Sequence, residues 1–292
     1  MSILLIRCCF ICQGFISGEF LKMKIDKETQ VCISISSNPG NTGTRIHSAL
    51  YAKYGLNFIY KSFFTADPVG VITGIRALGI RGCSVSMPFK QEVIHYLDEV
   101  DPGAHTANAV NTIINESGRL IGFNTDIPAA QQVISQLPLT SNTVTIFGAG
   151  ATARSLVVAL CNIGAVDKIR VCNRSHFGAT VLSRMITEMG LQAEIITSLE
   201  DDESTLLINT TPIGMNSKDV FPVTNKVLRG YDGIFDVVIA NETDLIRRCR
   251  SLGIPCIAGK QMTINQALHQ FELYTGVKPD FDNDTQLLEK LI

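Results

Sequence analysis

Short runs of β-branched and aromatic residues alternate along the chain with longer stretches in which apolar residues recur every three or four positions. The first pattern is typical of strands and the second of amphipathic helices. Near the start, strands are predicted at residues 31–36, 57–63 and 81–85. Helices are predicted between them at 44–54 and 68–78, each followed by a glycine that favours a helix end. This order predicts a first, parallel α/β layer.

Two further apolar runs, at 111–114 and 120–123, flank a segment rich in turn-forming residues at 115–118 and predict a hairpin. A second α/β series follows the hairpin. Its strands are predicted at 143–147, 168–172, 206–209, 233–238 and 254–257. One more helix, at 263–275, has no strand after it, and we expect it to pack back on the first layer.

The composition is that of a globular protein of two domains. The 292 residues exceed the roughly 100–150 that one domain usually holds, and 46% of them are hydrophobic. A net charge of −2 without a basic cluster argues against a nucleic-acid partner. The nine cysteines lack the paired spacing of metal ligands, which predicts no metal site and a reducing cytoplasm.

The first 20 residues are apolar and rich in cysteine, as a signal or a membrane anchor would be. Arg7 and Gln13 interrupt the run, which lacks a clear cleavage site and falls short of the roughly 20 apolar residues of a spanning helix. The segment from Met23 to Asp26 resembles a bacterial start. We therefore interpret residues 1–22 as an extension without a role in the fold, and expect no membrane partner.

A glycine-rich turn follows the predicted strand at 143–147 directly and precedes a predicted helix. Its residues are Gly148, Ala149, Gly150 and Ala151. In this context such a turn lets backbone N–H groups approach a dinucleotide pyrophosphate closely. Placed between a strand and a helix, this pattern predicts a Rossmann-type nucleotide-binding domain. Without these flanking elements, the glycine pattern would be a weak signal.

The next strand ends in Asn173, Arg174 and Ser175. NAD-binding proteins usually carry an acidic residue here to hold the ribose 2′-hydroxyl. A guanidinium instead binds a 2′-phosphate. The sequence therefore favours NADP over NAD, and a solvated loop arginine is the alternative.

Polar residues lie near the ends of three predicted strands in the first half of the chain. Lys90 lies just past the strand at 81–85, where we expect a helix to begin at Pro88. Asn111 and Asp126 lie at the ends of the hairpin strands. Loops at strand ends are where α/β proteins place their chemistry. Taken singly, such a lysine is most often a surface charge, and such an aspartate a turn residue.

Together these segments resemble the shikimate dehydrogenase family, in unbroken order over residues 25–276. The resemblance implies that Lys90 and Asp126 are the catalytic pair. It implies substrate contacts at Ser86, Asn111, Gln266 and Asn41. It implies cofactor contacts at Gly148, Ala149, Gly150, Ala151, Asn173, Arg174, Ser175, Val237 and Gly259.

The chain departs from the family pattern where the substrate carboxylate is expected to bind. Asn41 and Gly43 stand in place of two serines, and Ile239 in place of a tyrosine. Gly178 stands where many members carry a second cation for the 2′-phosphate, so NAD stays possible. These departures resemble the shikimate dehydrogenase-like branch of the family.

The resemblance implies a two-domain α/β fold. Its substrate domain would span 23–126 and be completed by 262–292, with an NADP-binding Rossmann domain at 127–261. We expect a cytoplasmic monomer or homodimer that oxidises a hydroxylated ring acid with NADP, at low activity towards shikimate. The alternatives are a quinate or aminoshikimate dehydrogenase using NAD, and a nucleotide-binding regulatory protein with little turnover.

Overall fold

The structure, a computed structural model, describes residues 25–292 apart from 201, 203 and 241. The predicted extension at 1–22 lies outside these residues. In the first half the strands β1 to β6 are Gln30–Ser36, Phe58–Phe64, Gly82–Val85, Glu99–Val100, Thr112–Glu116 and Arg119–Phe123. The helices α1 to α3 are Thr42–Lys53, Pro68–Leu78 and Pro102–Ala107.

The first six strands form one mixed sheet in the order β2-β1-β3-β5-β6-β4. Strand β1 is parallel to both β2 and β3, whereas β5 is antiparallel to β3 and to β6. The predicted parallel layer and the predicted hairpin are therefore both confirmed, and they share one sheet. The short strand β4, which the sequence did not predict, closes the edge beside β6.

Helix α2 shows how local sequence sets an element's limits. The Asp67 side chain accepts a hydrogen bond from the backbone N–H of Gly70 at 2.8 Å, and Pro68 takes the first turn. Gly79 ends the helix at φ +64°, which a residue with a Cβ atom rarely adopts. The predicted bounds of this helix are confirmed.

The second half repeats the strand–helix alternation around another sheet. Helices α4 to α6 are Asp126–Ile134, Ala151–Ile163 and His176–Glu188, and α7 to α10 are Asn225–Leu228, Asp244–Leu252, Gly259–Thr275 and Phe281–Glu289. Strands β7 to β12 are Thr143–Phe147, Lys168–Cys172, Gln192–Ile196, Leu206–Asn209, Gly233–Asp236 and Cys256–Ala258. All six are parallel in the order β12-β11-β10-β7-β8-β9, the doubly wound arrangement of a Rossmann-type sheet.

Two local predictions are wrong. No helix begins at Pro88: residues 87–90 form a turn after a cis peptide bond between Met87 and Pro88, and a 3₁₀ helix follows at Glu92–Tyr96. Helix α9 is also not the last helix, because α10 follows it. Helix α10 is mostly polar, and its buried residues are Asp284 and Leu288. Its sequence therefore carries little apolar periodicity.

Helix α9 returns to the first sheet, as predicted. In its first turn, Met262 packs in the core of the second sheet. Its later residues pack with residues of β1, α1 and β5. The shared core cluster contains Cys32, Ile46, Leu50, Tyr51, Tyr60, Ile114, Ile264, Ala267, Leu268, Phe271, Tyr274 and Leu288. The fold class is thus confirmed, whereas the domain limits at residues 126 and 261 stay a prediction.

Within the described residues, no helix is long and apolar enough to cross a membrane. The same part of the chain contains no group of three His, Cys, Asp or Glu side chains that could hold a metal ion.

Candidate active site

A cleft with a cavity volume of about 330 Å³ lies between the two sheets. It opens at the carboxyl ends of β3, β7, β10 and β11, where ligands bind in doubly wound proteins. Nine of the predicted site residues line it. They are Ser86, Lys90, Asn111, Asp126, Gly150, Ala151, Val237, Gly259 and Gln266.

Lys90 and Asp126 form an ion pair at the wall of this cleft. Lys90 Nζ donates to Asp126 Oδ2 at 2.6 Å. The side chains are only 16% and 9% exposed, so each charge needs the other to offset its loss of water. Asp126 is the first residue of α4, whose apolar face packs in the core of the second sheet. The pair is therefore fixed at the joint between the two sheets.

Asn111 holds the other oxygen of this carboxylate. Its Nδ2 donates to Asp126 Oδ1 at 2.9 Å and to Thr125 Oγ1 at 3.0 Å, which uses both amide hydrogens. Asn111 is only 2% exposed. A ring hydroxyl of a substrate would have to replace Thr125 as acceptor, so the substrate contact predicted for Asn111 stays a prediction.

Asn124 joins Asp126 to the start of α5. The backbone N–H of Asp126 donates to Asn124 Oδ1 at 3.1 Å, and Asn124 Nδ2 donates to Ser155 Oγ at 2.9 Å. Ser155 in turn donates to the carbonyl of Ala151, at the end of the glycine-rich turn, at 3.2 Å. These bonds fix Asp126 relative to the predicted pyrophosphate site.

Two further predicted substrate ligands have hydrogen-bonding capacity to spare. Gln266 Nε2 donates to the carbonyl of Thr263 at 3.1 Å and has a second hydrogen left over. Its Oε1 lies 3.4 Å from Thr125 Oγ1. Ser86 is exposed at the end of β3, and its hydroxyl has no partner among the described residues. Both groups can therefore bind a hydroxylated ligand.

The glycine-rich turn has the shape that a pyrophosphate requires. Gly148 has φ +117°, and a Cβ atom there would lie 2.4 Å from Thr210 Oγ1. Gly150 caps α5 without a side chain, and a Cβ atom there would meet nothing within 4 Å. The free N–H groups at the start of α5 thus face open space, which fits a dinucleotide phosphate. Ala149 is partly buried against the core behind the turn.

The predicted 2′-phosphate loop lies outside the cleft cavity. Asn173 Nδ2 donates to the carbonyl of Ser175 at 2.9 Å, and Ser175 Oγ accepts from the N–H of Gly178 at 3.3 Å. Arg174 is exposed, with no ion-pair partner in the part of the chain that the structure describes. Its guanidinium is therefore available to a phosphate. A Cβ atom at Gly178 would lie 2.8 Å from Asn173 Nδ2, so a larger residue there would displace the Asn173 side chain.

Gly259 packs against the backbone that follows β11. A Cβ atom there would lie 2.3 Å from the carbonyl oxygen of Val237 and 2.6 Å from that of Val238. Only glycine allows α9 to begin at this point of the cleft wall. The sequence singled out Val237 and Gly259 through the family resemblance, and the structure supplies the steric reason for the glycine.

Asn41, predicted to contact the substrate carboxylate, does not line the cleft. Asn41 is exposed before α1, and its side chain does not cap that helix. A Cβ atom at Gly43 would lie 3.2 Å from the Tyr60 hydroxyl, so a serine at this position would crowd that ring. Ile239 does line the cleft and is 55% exposed. The structure thus places an apolar side chain where the family pattern has a hydroxyl.

Sequence reasoning missed four polar residues around the pair. They are Ser84, Thr112, Thr125 and Gln270. Thr125 belongs to the same Asn-Thr-Asp segment as Asp126, so its position was a usable signal. The other three come together only through the fold.

Comparisons with known proteins agree with this geometry. A family model described as the shikimate dehydrogenase substrate binding domain matches residues 41–113. A shikimate dehydrogenase-like protein of Haemophilus influenzae is 39% identical over 262 residues, which cover 87% of this chain and 94% of the relative. A shikimate dehydrogenase (NADP(+)) of Pyrococcus abyssi is 34% identical over 239 residues, which cover 81% and 88%.

Solved structures are similar as well. The shikimate 5-dehydrogenase of Thermus thermophilus, in complex with NADP(H) and shikimate, superposes with a TM-score of 0.78 at 25% identity. The match covers 90% of this chain and 99% of the other. The similarity therefore includes both sheets and the cleft between them.

Proposed function

The chain belongs to the shikimate dehydrogenase family, on its shikimate dehydrogenase-like branch, and on this premise we propose its reaction. It is an NADP-dependent oxidoreductase that acts on the secondary alcohol of a hydroxylated carbocyclic acid. The reaction is shikimate + NADP ⇌ 3-dehydroshikimate + NADPH. The observation that carries the proposal is the buried Lys90–Asp126 pair, 2.6 Å apart, in the same cleft as the start of α5.

The chain's own residues would bind the ring and move one proton. When the alcohol is oxidised, the hydroxyl proton passes to Lys90 Nζ in its amine form, and it returns to the oxygen in the reverse direction. Asp126 orients Nζ through their hydrogen bond. Ser86 and Gln266 offer further hydrogen bonds to the ring hydroxyls. The closed sides of the cleft would hold the reacting carbon in place and limit access of water.

NADP supplies the hydride acceptor of this reaction when it is bound. The N–H groups after Gly148 and Gly150 would hold its pyrophosphate. Arg174, with support from Asn173 and Ser175, would hold its 2′-phosphate. Val237 and Gly259 would line the site of its nicotinamide end.

We expect Arg174→Ala to weaken NADPH binding about 10- to 100-fold, since a hydrogen bond to a charged group contributes about 1.5–3 kcal/mol. NADH binding should hardly change, because NADH has no 2′-phosphate. Fluorescence titration with both nucleotides measures the two affinities. Arg184→Ala is the matched control, because Arg184 is an 81% exposed arginine on the following helix, α6. Equal losses for both nucleotides would contradict the assignment of Arg174 to the 2′-phosphate.

Turnover of shikimate tests the reaction itself. We expect measurable but slow reduction of NADP with shikimate, because Asn41 is exposed outside the cleft and Ile239 offers no hydrogen bond to a carboxylate. The measurement is the absorbance of NADPH, with quinate as a parallel substrate and NAD as a parallel cofactor. Turnover of quinate alone would support the quinate alternative. Nucleotide binding without any turnover would support the regulatory alternative.

The cytoplasm is our proposed location, and a monomer or homodimer the proposed state. The six cysteines that the structure describes are all free thiols, as is usual for proteins of a reducing compartment.

A further inference from the structure

An uninterrupted run of side-chain hydrogen bonds leads from the core of the first sheet to the ion pair in the cleft. Its members come from α1, α9, the start of β5 and the residue before it, the first residue of α4 and the turn after β3. In order they are His47, Gln270, Thr112, Asn111, Asp126 and Lys90. His47, Gln270 and Thr112 are at most 1% exposed, so water does not compete for these bonds.

At the His47 end of this run, the donor and the acceptor of the hydrogen bond are determined. His47 Nε2 lies 3.4 Å from Gln270 Oε1, and because a carbonyl oxygen only accepts, Nε2 must carry the hydrogen. Burial lowers the pKa of His47 to about 4, so the ring is neutral at physiological pH. The ring stacks on Tyr60 with 4.4 Å between centroids, and its Nδ1 has no partner among the described residues. This environment holds one tautomer of His47 and one orientation of the Gln270 amide.

The Gln270 amide also determines which role the Thr112 hydroxyl takes in its hydrogen bonds. Its Nε2 donates to Thr112 Oγ1 at 2.9 Å, and also lies 3.1 Å from Ser84 Oγ. A threonine hydroxyl has one hydrogen. Because Thr112 accepts from Gln270, its own hydrogen is directed to Asn111 Oδ1, at 2.7 Å.

The Thr112 hydroxyl and the backbone N–H of Thr125 together set the orientation of the Asn111 amide. Its Oδ1 accepts from Thr112 and from the backbone N–H of Thr125 at 2.9 Å. Its Nδ2 therefore faces Asp126 Oδ1, at 2.9 Å. In the reversed orientation an amide oxygen would face the carboxylate, and two acceptors in contact repel each other.

We propose that Gln270 and Thr112 are positioning residues, which keep Asn111 as a donor to Asp126 and so keep Asp126 oriented towards Lys90. Neither residue touches the cleft-side atoms of the pair, and both act through Asn111. The inference rests on the proposed function, because it assigns to Lys90 and Asp126 the roles given there.

Thr112→Val tests the proposal, because valine has the shape of threonine without the hydroxyl. We expect kcat for shikimate to fall about 3- to 10-fold, the effect of one hydrogen bond worth about 0.5–1.5 kcal/mol. The pH–rate profile should also be displaced, because the ion pair between Lys90 and Asp126 loses its hydrogen-bonded support from Asn111. Thr112→Ser retains the hydroxyl and should restore both properties. NADPH affinity should stay unchanged in both variants.

A matched control comes from the second sheet. Thr145 is a fully buried threonine whose hydroxyl pairs with Ser204 at 2.7 Å. Thr145→Val loses a buried hydroxyl in the same way, outside the proposed run. It should lower the thermal midpoint without moving the pH–rate profile.

Gln270→Glu is a second, nearly isosteric variant. A carboxylate oxygen in place of Nε2 would accept the hydrogen of Thr112, and Thr112 would then no longer donate to Asn111. We expect the same displacement of the pH–rate profile as in Thr112→Val. A fall in stability without this displacement would overturn the proposal.

Crystal structures of the parent protein and Thr112→Val give a readout that needs no turnover. The distance between Asn111 Nδ2 and Asp126 Oδ1 should increase beyond hydrogen-bonding range in the valine variant and stay short in Thr112→Ser. An unchanged distance, or an unchanged pH–rate profile, overturns the proposal. If the parent does not turn over shikimate but the valine variant still shows the increased distance, the result counts against the proposed function alone.

Discussion

Replacing Lys90 with alanine is expected to lower kcat for shikimate by about 10²–10⁴-fold, the usual contribution of a general acid–base group. Asp126→Asn should lower kcat comparably, because an amide cannot form the ion pair that orients Nζ. NADPH binding should stay intact, since neither side chain belongs to the predicted nucleotide contacts. Steady-state rates and a fluorescence titration of NADPH measure the two effects separately.

A second lysine–aspartate pair in the same protein controls for the loss of a partly buried charge. Lys53 Nζ lies 2.5 Å from Asp284 Oδ1, and the Asp284 side chain is fully buried between α1 and α10, away from the cleft. Lys53→Ala and Asp284→Asn should cost stability and leave kcat unchanged. Near-normal turnover in Lys90→Ala would remove Lys90 from the mechanism.

Gly259→Ala should have the second-largest effect. The added Cβ atom would lie 2.3 Å from the backbone oxygen of Val237, so the start of α9 and the segment after β11 would have to move apart. Overpacking of this kind costs about 1–3 kcal/mol. Because α9 also carries Gln266, we expect kcat/KM to fall about 100-fold, as a displacement near 1 Å in a site commonly does.

Gly74→Ala is the matched control for this change. Gly74 lies inside α2, and a Cβ atom there would meet nothing within 4 Å. Alanine should raise the free energy of unfolding by up to about 1 kcal/mol through its higher helix propensity. Chemical denaturation of both variants, with kcat/KM measured on each, makes the comparison. Wild-type kcat/KM in Gly259→Ala would show that the cleft wall tolerates the shift.

The sequence predicted the elements that carry a strong local signal. Strands β7 and β10 are largely buried on both faces and β8 on one face, and the predicted bounds of all three agree with the structure. Strand β9 was missed because it lies at the sheet edge, where its residues are only partly buried or exposed. Edge strands need fewer apolar residues and therefore give a weaker pattern.

The cleft was predictable as far as its residues stand next to recognisable motifs. Lys90, Asp126 and the glycine-rich turn lie at strand ends, and parallel strands bring such ends together. Gln270 and Thr112 were not predictable, because they are 158 positions apart and meet only when α9 packs on β5. Buried polar contacts of this kind depend on tertiary distances that periodicity does not contain.

The return of α9 to the first sheet also determines when each core can form during synthesis on the ribosome. The strands of the first sheet leave the exit tunnel early, yet Cys32, Leu50 and Ile114 remain uncovered until α9 and α10 have been made. Residues 127–258 are translated in between, which takes on the order of ten seconds at about 5–20 residues per second. The second sheet can fold in that interval while the first still exposes apolar surface, so the nascent chain would bind chaperones through its first half.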